Sequence, residues 1–332
     1  MAIVAATVSG AAFGAAMTTA GFHDASLIIA QMKLESWHML QAFMAATASS
    51  AACYCLVQRL LHVEMPPPSA SSLGLFASHD GNVIGGVLLG AGIALSGSCP
   101  GALFAQLAVG GRAAYFTLAG AVTGAVVWAG NMGELVRHRQ RRPNSGLDMP
   151  AQQRPGLSRA TWLLLLQTVC LTVVAMAAGL APSSPRGRVS GAVAGLLIGF
   201  AQLVSLLARR SMLGASGSYQ EAGNLLRRLA AAGSSPDIKS KYHGPRLAFA
   251  FGAVAGAWLL LRAAPSLVVV PVFEAPPLLA AVGGFLMIVG AAVAGGCTSG
   301  HGISGIALLS VPSIVTMAGA FAAGVTVAPL AY

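Results

Sequence analysis

Charge is what this sequence has least of. Asp, Glu, Lys and Arg make up only 8% of its 332 residues, hydrophobic residues make up 56%, and mean hydropathy is +0.75. A soluble domain carries about 25% charged residues, so this composition excludes an ordinary water-facing surface and leaves a lipid-facing one. No Cys-x-x-Cys pair is present. The five cysteines, Cys53, Cys55, Cys99, Cys170 and Cys297, all lie in apolar segments. That excludes a secreted disulfide framework and a zinc spacing. There is no Gly-x-x-x-x-Gly-Lys-Ser/Thr run, so any energy coupling would come from an ion gradient or a partner. Aromatic residues are few, at 6%, and form no basic module. The net charge of +10 therefore does not point to nucleic acid. No metal cluster or cofactor is called for. The N-terminus is apolar from Ala2 without a basic stretch before it, which predicts a first span rather than a cleaved signal.

Long apolar runs and small residues are plentiful. Apolar segments occupy roughly 2–20, 37–57, 83–98, 112–130, 160–181, 189–208, 246–263, 278–295 and 312–331. About 20 apolar residues span a bilayer as a helix. The 41 glycines suit helices packed closely in lipid. Cys53 and Cys55 read as helix packing residues. The segments ending at Cys99 and Cys297 fall short of a full span. Each is followed by a Gly- and Ser-rich break and a further short apolar stretch, 102–109 or 303–309. Broken helices are tolerated in a bilayer where they line a cavity or are covered by protein, and paired interruptions mark transport sites.

The two broken segments match. Gly85-Gly86, Gly92, Ala94, Gly97 and Cys99 recur as Gly283-Gly284, Gly290, Ala292, Gly295 and Cys297, at a gapless offset of 198. A weaker echo links Gly10-Ala11-x-x-Gly14 to Gly191-Ala192-x-x-Gly195. The expected fold class is an all-α integral membrane protein of two repeated halves, with re-entrant helix hairpins meeting near the bilayer midplane. Residues 1–130 form the first repeat, 131–159 a basic cytoplasmic linker, 160–181 a connecting transmembrane helix and 182–332 the second repeat. The linker carries Arg137, Arg139, Arg141 and Arg142; a second basic stretch spans Gly233 to Arg246. The positive-inside tendency puts both in the cytoplasm. Counting back places the N-terminus and the loops 58–81 and 264–277 outside, and the C-terminus inside.

The breaks carry the chemistry. At Ser98-Cys99-Pro100-Gly101 one half-helix should end near Ser98 and another begin near Pro100, since proline suits a first helical turn. Gly296-Cys297-Thr298-Ser299 with His301 offers a thiol, two hydroxyls and an imidazole beside another helix start. Helix N-termini and hydroxyls suit a small anion. A thiol there suits a ligand with a soft sulfur atom.

These two segments, Gly92 to Gly101 and Ala294 to Gly305, resemble the paired signatures of the YeeE/YedE family of sulfur-transport membrane proteins. The likeness extends more loosely to Leu213-Gly-Ala-Ser-Gly-Ser-Tyr219 and to the N-terminal small-residue helix. It implies thiosulfate uptake through a narrow waist, with Cys99 and Cys297 passing the ion along by S–H···S contacts. A further cysteine often found in the first hairpin of such proteins is absent; the segment reads Ala20-Gly21-Phe22-His23-Asp24-Ala25-Ser26. His23 is the candidate to replace it, and Ser216 a candidate hydroxyl donor. The expected partners are thiosulfate or a related sulfur anion, the lipid bilayer and, within such a family, a soluble sulfur-carrier protein. The expected location is the plasma or inner membrane. The rival readings are a membrane persulfide sulfurtransferase or thiol redox protein, and a neutral-solute pore. The absence of a Cys-x-x-Cys pair weighs against the first, and the duplicated thiols against the second.

Overall fold

The computed structural model describes residues 1–62, 64–68, 70–76, 78–140, 158–180, 189–231, 244–267, 271 and 273–332. Thirteen α-helices occupy these residues, with short π-helical or 3-10 turns at Trp128–Met132, Pro265–Leu267 and Thr298–Gly305 and no strand among them. They are α1 (Ala2–Thr19), α2 (Ala25–Met32), α3 (His38–Leu61), α4 (Asp80–Ser96), α5 (Ala102–Val109), α6 (Arg112–Val127), α7 (Gly133–Gln140), α8 (Arg159–Leu180), α9 (Gly191–Arg209), α10 (Ser216–Ala231), α11 (Pro245–Ala263), α12 (Pro277–Ala294) and α13 (Val311–Ala331). Eight of the described helices are long and apolar enough to cross a membrane, and α4 is a shorter apolar helix. The chain is a multi-pass integral membrane protein. Most of the linker, 141–157, and of the basic stretch, 232–243, lies outside the described residues.

Glycine decides which helices meet. Gly252 and Gly256 of α11 lie on the backbone of Thr7 and Ala11, so α1 and α11 run in the same direction. Gly195 and Gly199 set α9 along α3, against Ala42 and Ser49. Gly86 and Gly90 of α4 face Thr316 and Ala320 of α13, while Gly120 and Gly124 of α6 face Ala281 and Phe285 of α12. Between these pairs α4 and α12 cross in opposite directions, Gly85 against Gly290 and Gly92 against Gly283. Without side chains, the backbones come close enough for dispersion to hold helices together where lipid removes the hydrophobic drive.

Polar groups inside the bundle are satisfied locally. Thr18, Thr47, Ser96, Thr117 and Thr316 each donate to the carbonyl four residues earlier, the arrangement open to a hydroxyl within a helix. Three acids for which the sequence suggests no partner accept backbone N–H groups instead. Asp80 takes those of Leu73, Leu75, Phe76 and Gly81. Glu221 takes that of Leu247, and Glu274 that of Arg112.

These helix directions overturn the expected topology. Ile3 lies beside Gly244, so the N-terminus shares one end of the bundle with the stretch that leads into α11. It was expected on the opposite face. Helix α8 starts at this same end, where Arg159 lies over the Tyr54 ring near the close of α3. The described residues of the loops 58–81 and 264–277 lie at opposite ends, not together. The C-terminus lies at the end away from the N-terminus: Tyr332 meets the Phe273 ring and bonds the Leu95 carbonyl. The physical reason is that α6 begins at the opposite end from α4. The broken segment α4–α5 thus carries the chain across the bundle.

Candidate functional site

Both cysteine breaks form where the sequence places them, through backbone that only glycine adopts readily. Helix α4 stops at Ser96 because Gly97 is left-handed, φ 60°, and α5 starts at Ala102 after Pro100. Helix α12 stops at Ala294 because Gly295 has φ 84°. The chain after Cys297 is no regular helix start; it is a wide π-helical turn over Thr298–Gly305.

The two breaks meet in the core. Cys99 is buried and Cys297 fully so. The Cys99 sulfur accepts the Ala102 N–H at 3.3 Å, and Thr298 of the other break lies nearby. Cys297 Sγ lies 3.2 Å from Ser299 Oγ, which in turn accepts the Ala215 N–H at 3.2 Å. Tyr219 is buried at the same junction. Its hydroxyl donates to the Pro100 carbonyl at 2.9 Å, and its ring stacks on Phe104 at 5.4 Å. The α9–α10 turn, with Ser216 at the start of α10, thus joins the thiol breaks. Gly101 packs on Phe13 and Met17 of α1. Ser98 is buried, its hydroxyl turned back to the Cys99 carbonyl at 3.4 Å.

His301 is fully buried and both ring nitrogens are engaged. Nε2 is 3.1 Å from the Ala294 carbonyl, which can only accept, so this nitrogen carries the proton; Nδ1 pairs with Ser313 at 2.9 Å. The ring lies against Gly296, where a Cβ would be 3.0 Å away. His301 therefore braces the break between α12 and α13.

His23 sits apart from the thiols, in a small open pocket with Ser96, Gln106, Ala114, Phe273 and Glu274. This pocket opens at the end of the bundle that holds the C-terminus. His23 Nδ1 is 3.0 Å from the Thr18 carbonyl. Gln106 spans the wall, donating to the Gly97 carbonyl at 2.9 Å and reaching that of Phe22 at 3.5 Å.

Three contributors escape sequence reasoning: Tyr219, Gln106 and Gln202. Gln202 accepts the Leu213 N–H at 3.2 Å, and Ser304 donates to the Leu213 carbonyl at 2.8 Å. Tyr219 closes the one loose motif that does have a sequence signal. The two glutamines have none, because each acts across a fold contact.

No curated protein matches the sequence. The profile of a family described as sulphur transport matches residues 19–327, a stretch that takes in both breaks, the α9–α10 turn and the pocket. A bundle of apolar helices wrapped around two buried thiols, with hydroxyls and backbone donors about them, accords with that description. The chain belongs to the sulphur transport family, YeeE/YedE.

Proposed function

We propose that this protein moves thiosulfate, or a closely related sulfur anion, across the plasma or inner membrane past the thiols of Cys99 and Cys297. The observation that carries this reading is the convergence of the two breaks on the α9–α10 turn, Pro100 through Tyr219 and Ser299 through Ala215, with both sulfurs buried. The terminal sulfur of thiosulfate is soft and accepts from a thiol S–H; its oxygens suit Thr298, Ser299 and backbone N–H groups. His23, Ser96 and Gln106 form the approach from the pocket, and Ser98, Pro100, Gly101 and Gly296 shape the passage. His301 holds the second break in place, and Ser216 lies where the passage meets α10. No step forms or breaks a covalent bond, so the protein acts as a transporter and not as an enzyme.

Two repeats, 1–130 and 182–332, whose broken segments meet inside the bundle, account best for the packing; α4–α5 crosses the bundle rather than returning as the expected re-entrant hairpin. At the offset of 198, Gly85 corresponds to Gly283 and Gly92 to Gly290. Gly85 touches Gly290 and Gly92 touches Gly283, so each residue meets the counterpart of the other, as a two-fold axis between α4 and α12 requires. The relation extends outward. Gly86 faces Thr316 while its counterpart Gly284 faces Thr117. Gly10 and Gly14 face α11, while Gly191 and Gly195 face α3.

Uptake of labelled thiosulfate into proteoliposomes tests the reading, with Cys99→Ser and Cys297→Ser alongside. Transport by wild type and a loss of at least about tenfold in either folded variant is expected. Equal uptake in all three would leave the cysteines as packing residues and remove the mechanism. Failure of wild type to move thiosulfate while another anion crosses would make the substrate wrong.

A further inference from the structure

Two arginines near the N-terminal end of the bundle have no part in the site above. Arg209 closes α9, and its guanidinium lies over the Phe249 ring, 5.1 Å from the centroid. Arg246, near the start of α11, lies across the first turn of α10: a Cβ placed on Gly217 would meet its Cδ at 3.2 Å and its Nε at 3.4 Å. Arg246 and Phe249 stand one turn apart on α11, so Arg209, lying over the Phe249 ring, is the neighbour of Arg246. Neither has an ion-pair partner among the described residues, and the neighbouring Glu221 is turned to the Leu247 N–H. Arg209 Nη1 is buried with no hydrogen-bond partner among the described residues. A buried guanidinium N–H without an acceptor is unfavourable, and two like charges held together add to it. An anion between them relieves both. The first turn of α10 adds backbone donors on the same side.

Their place along the molecule gives this pair a meaning. The Phe249 ring that carries Arg209 is 5.6 Å from the Phe13 ring, and Phe13 packs on Gly101 of the Cys99 break. The two packed rings thus lie between Arg209 and the turn that bears Cys99. The His23 pocket lies at the other end of the bundle.

We propose that Arg209 and Arg246, with the first turn of α10, form a second binding station for a sulfur oxyanion, on the far side of the thiols from the pocket. This rests on the transport reading. Guanidinium forks address oxygens in bidentate fashion, so the station does not discriminate between sulfate and thiosulfate. Selection for the soft sulfur falls to Cys99 and Cys297.

The test uses the full chain with Cys99→Ser and Cys297→Ser, purified in nanodiscs of neutral phosphatidylcholine. Its thermal stability is titrated with sodium sulfate or thiosulfate, with chloride holding ionic strength constant. Saturable stabilisation by both anions at similar concentrations is expected. Arg209→Gln and Arg246→Gln should each raise the half-saturating concentration about tenfold or more, the loss of a charge-assisted bond. Arg246 is exposed, so its variant serves even where Arg209→Gln fails to fold. An unchanged response in Arg246→Gln overturns the proposal. So does a response that anionic lipid in the disc reproduces and blocks, which would assign the arginines to a lipid headgroup. If the anions bind and the variants lose them, yet wild type takes up no thiosulfate, the oxyanion site stands and the transport reading alone falls.

Discussion

Tyr219 reaches across the thiol site with a single hydroxyl. Tyr219→Phe keeps the stack on Phe104 but leaves the Pro100 carbonyl without its donor, a net loss of about 1 kcal/mol. Because that carbonyl belongs to the turn bearing Cys99, thiosulfate uptake should fall severalfold while the thermal midpoint moves little. Unchanged uptake would reduce Tyr219 to a packing residue. His301 behaves differently. Its ring holds the Ala294 carbonyl and Ser313 at once, so His301→Ala takes one partner from each, leaving them Asn82 and Ser310, and opens a void in the core. A destabilisation on the order of 2–4 kcal/mol is expected, read as a lowered unfolding midpoint in detergent. The sequence suggests His301 as a pathway residue because it stands in a specific motif. It does not reveal that both nitrogens are spent on bracing.

Among the elements, α4 and α12 depend most on having no side chain at the crossing. A Cβ at Gly92 would meet the Gly283 carbonyl oxygen at 2.6 Å, and one at Gly283 the Gly92 carbonyl oxygen at 2.7 Å. These neighbours are backbone and cannot rotate away. Gly92→Ala and Gly283→Ala should each cost about 1–3 kcal/mol, seen as lower thermal midpoints and loss of monodisperse protein. Gly179→Ala, where nothing lies within 4 Å, should be neutral or stabilising by up to about 1 kcal/mol. A uniform response across the three would mean that helix propensity, not close approach, decides. The breaks obey a related rule: Gly97 and Gly295 have positive φ, and both are visible in the sequence as glycine immediately before Ser-Cys or Gly-Cys.

For the whole molecule, the directions of the helices set a topology that can be checked from outside. The N-terminus, Ser158 and Gly244 share one end; Phe273, Glu274 and Tyr332 share the other. That first end holds Arg59, Arg159, Arg209, Arg210 and Arg246, and the positive-inside tendency predicts that it faces the cytoplasm. Tags at the two termini should be reached from opposite faces of the membrane, and a cysteine introduced at Ser158 should react from the N-terminal face. Labelling of both termini from one face would sink this arrangement.

Apolar length and a scarcity of charge determined by themselves that this chain folds as helices in lipid, because no other surface can be built from them. The duplicated Gly-x-Cys breaks also marked Cys99 and Cys297, since a thiol beside a left-handed glycine repeats at a fixed interval. Tertiary structure alone decided which end each helix starts from. Whether a broken segment crosses or returns depends on its neighbours, and periodicity within α4 and α5 is the same either way. Structure alone also brought Tyr219 to Pro100, Gln202 to Leu213 and Arg209 to Arg246. Hydrogen bonds and like-charge contacts across a fold leave no local spacing for a sequence to show.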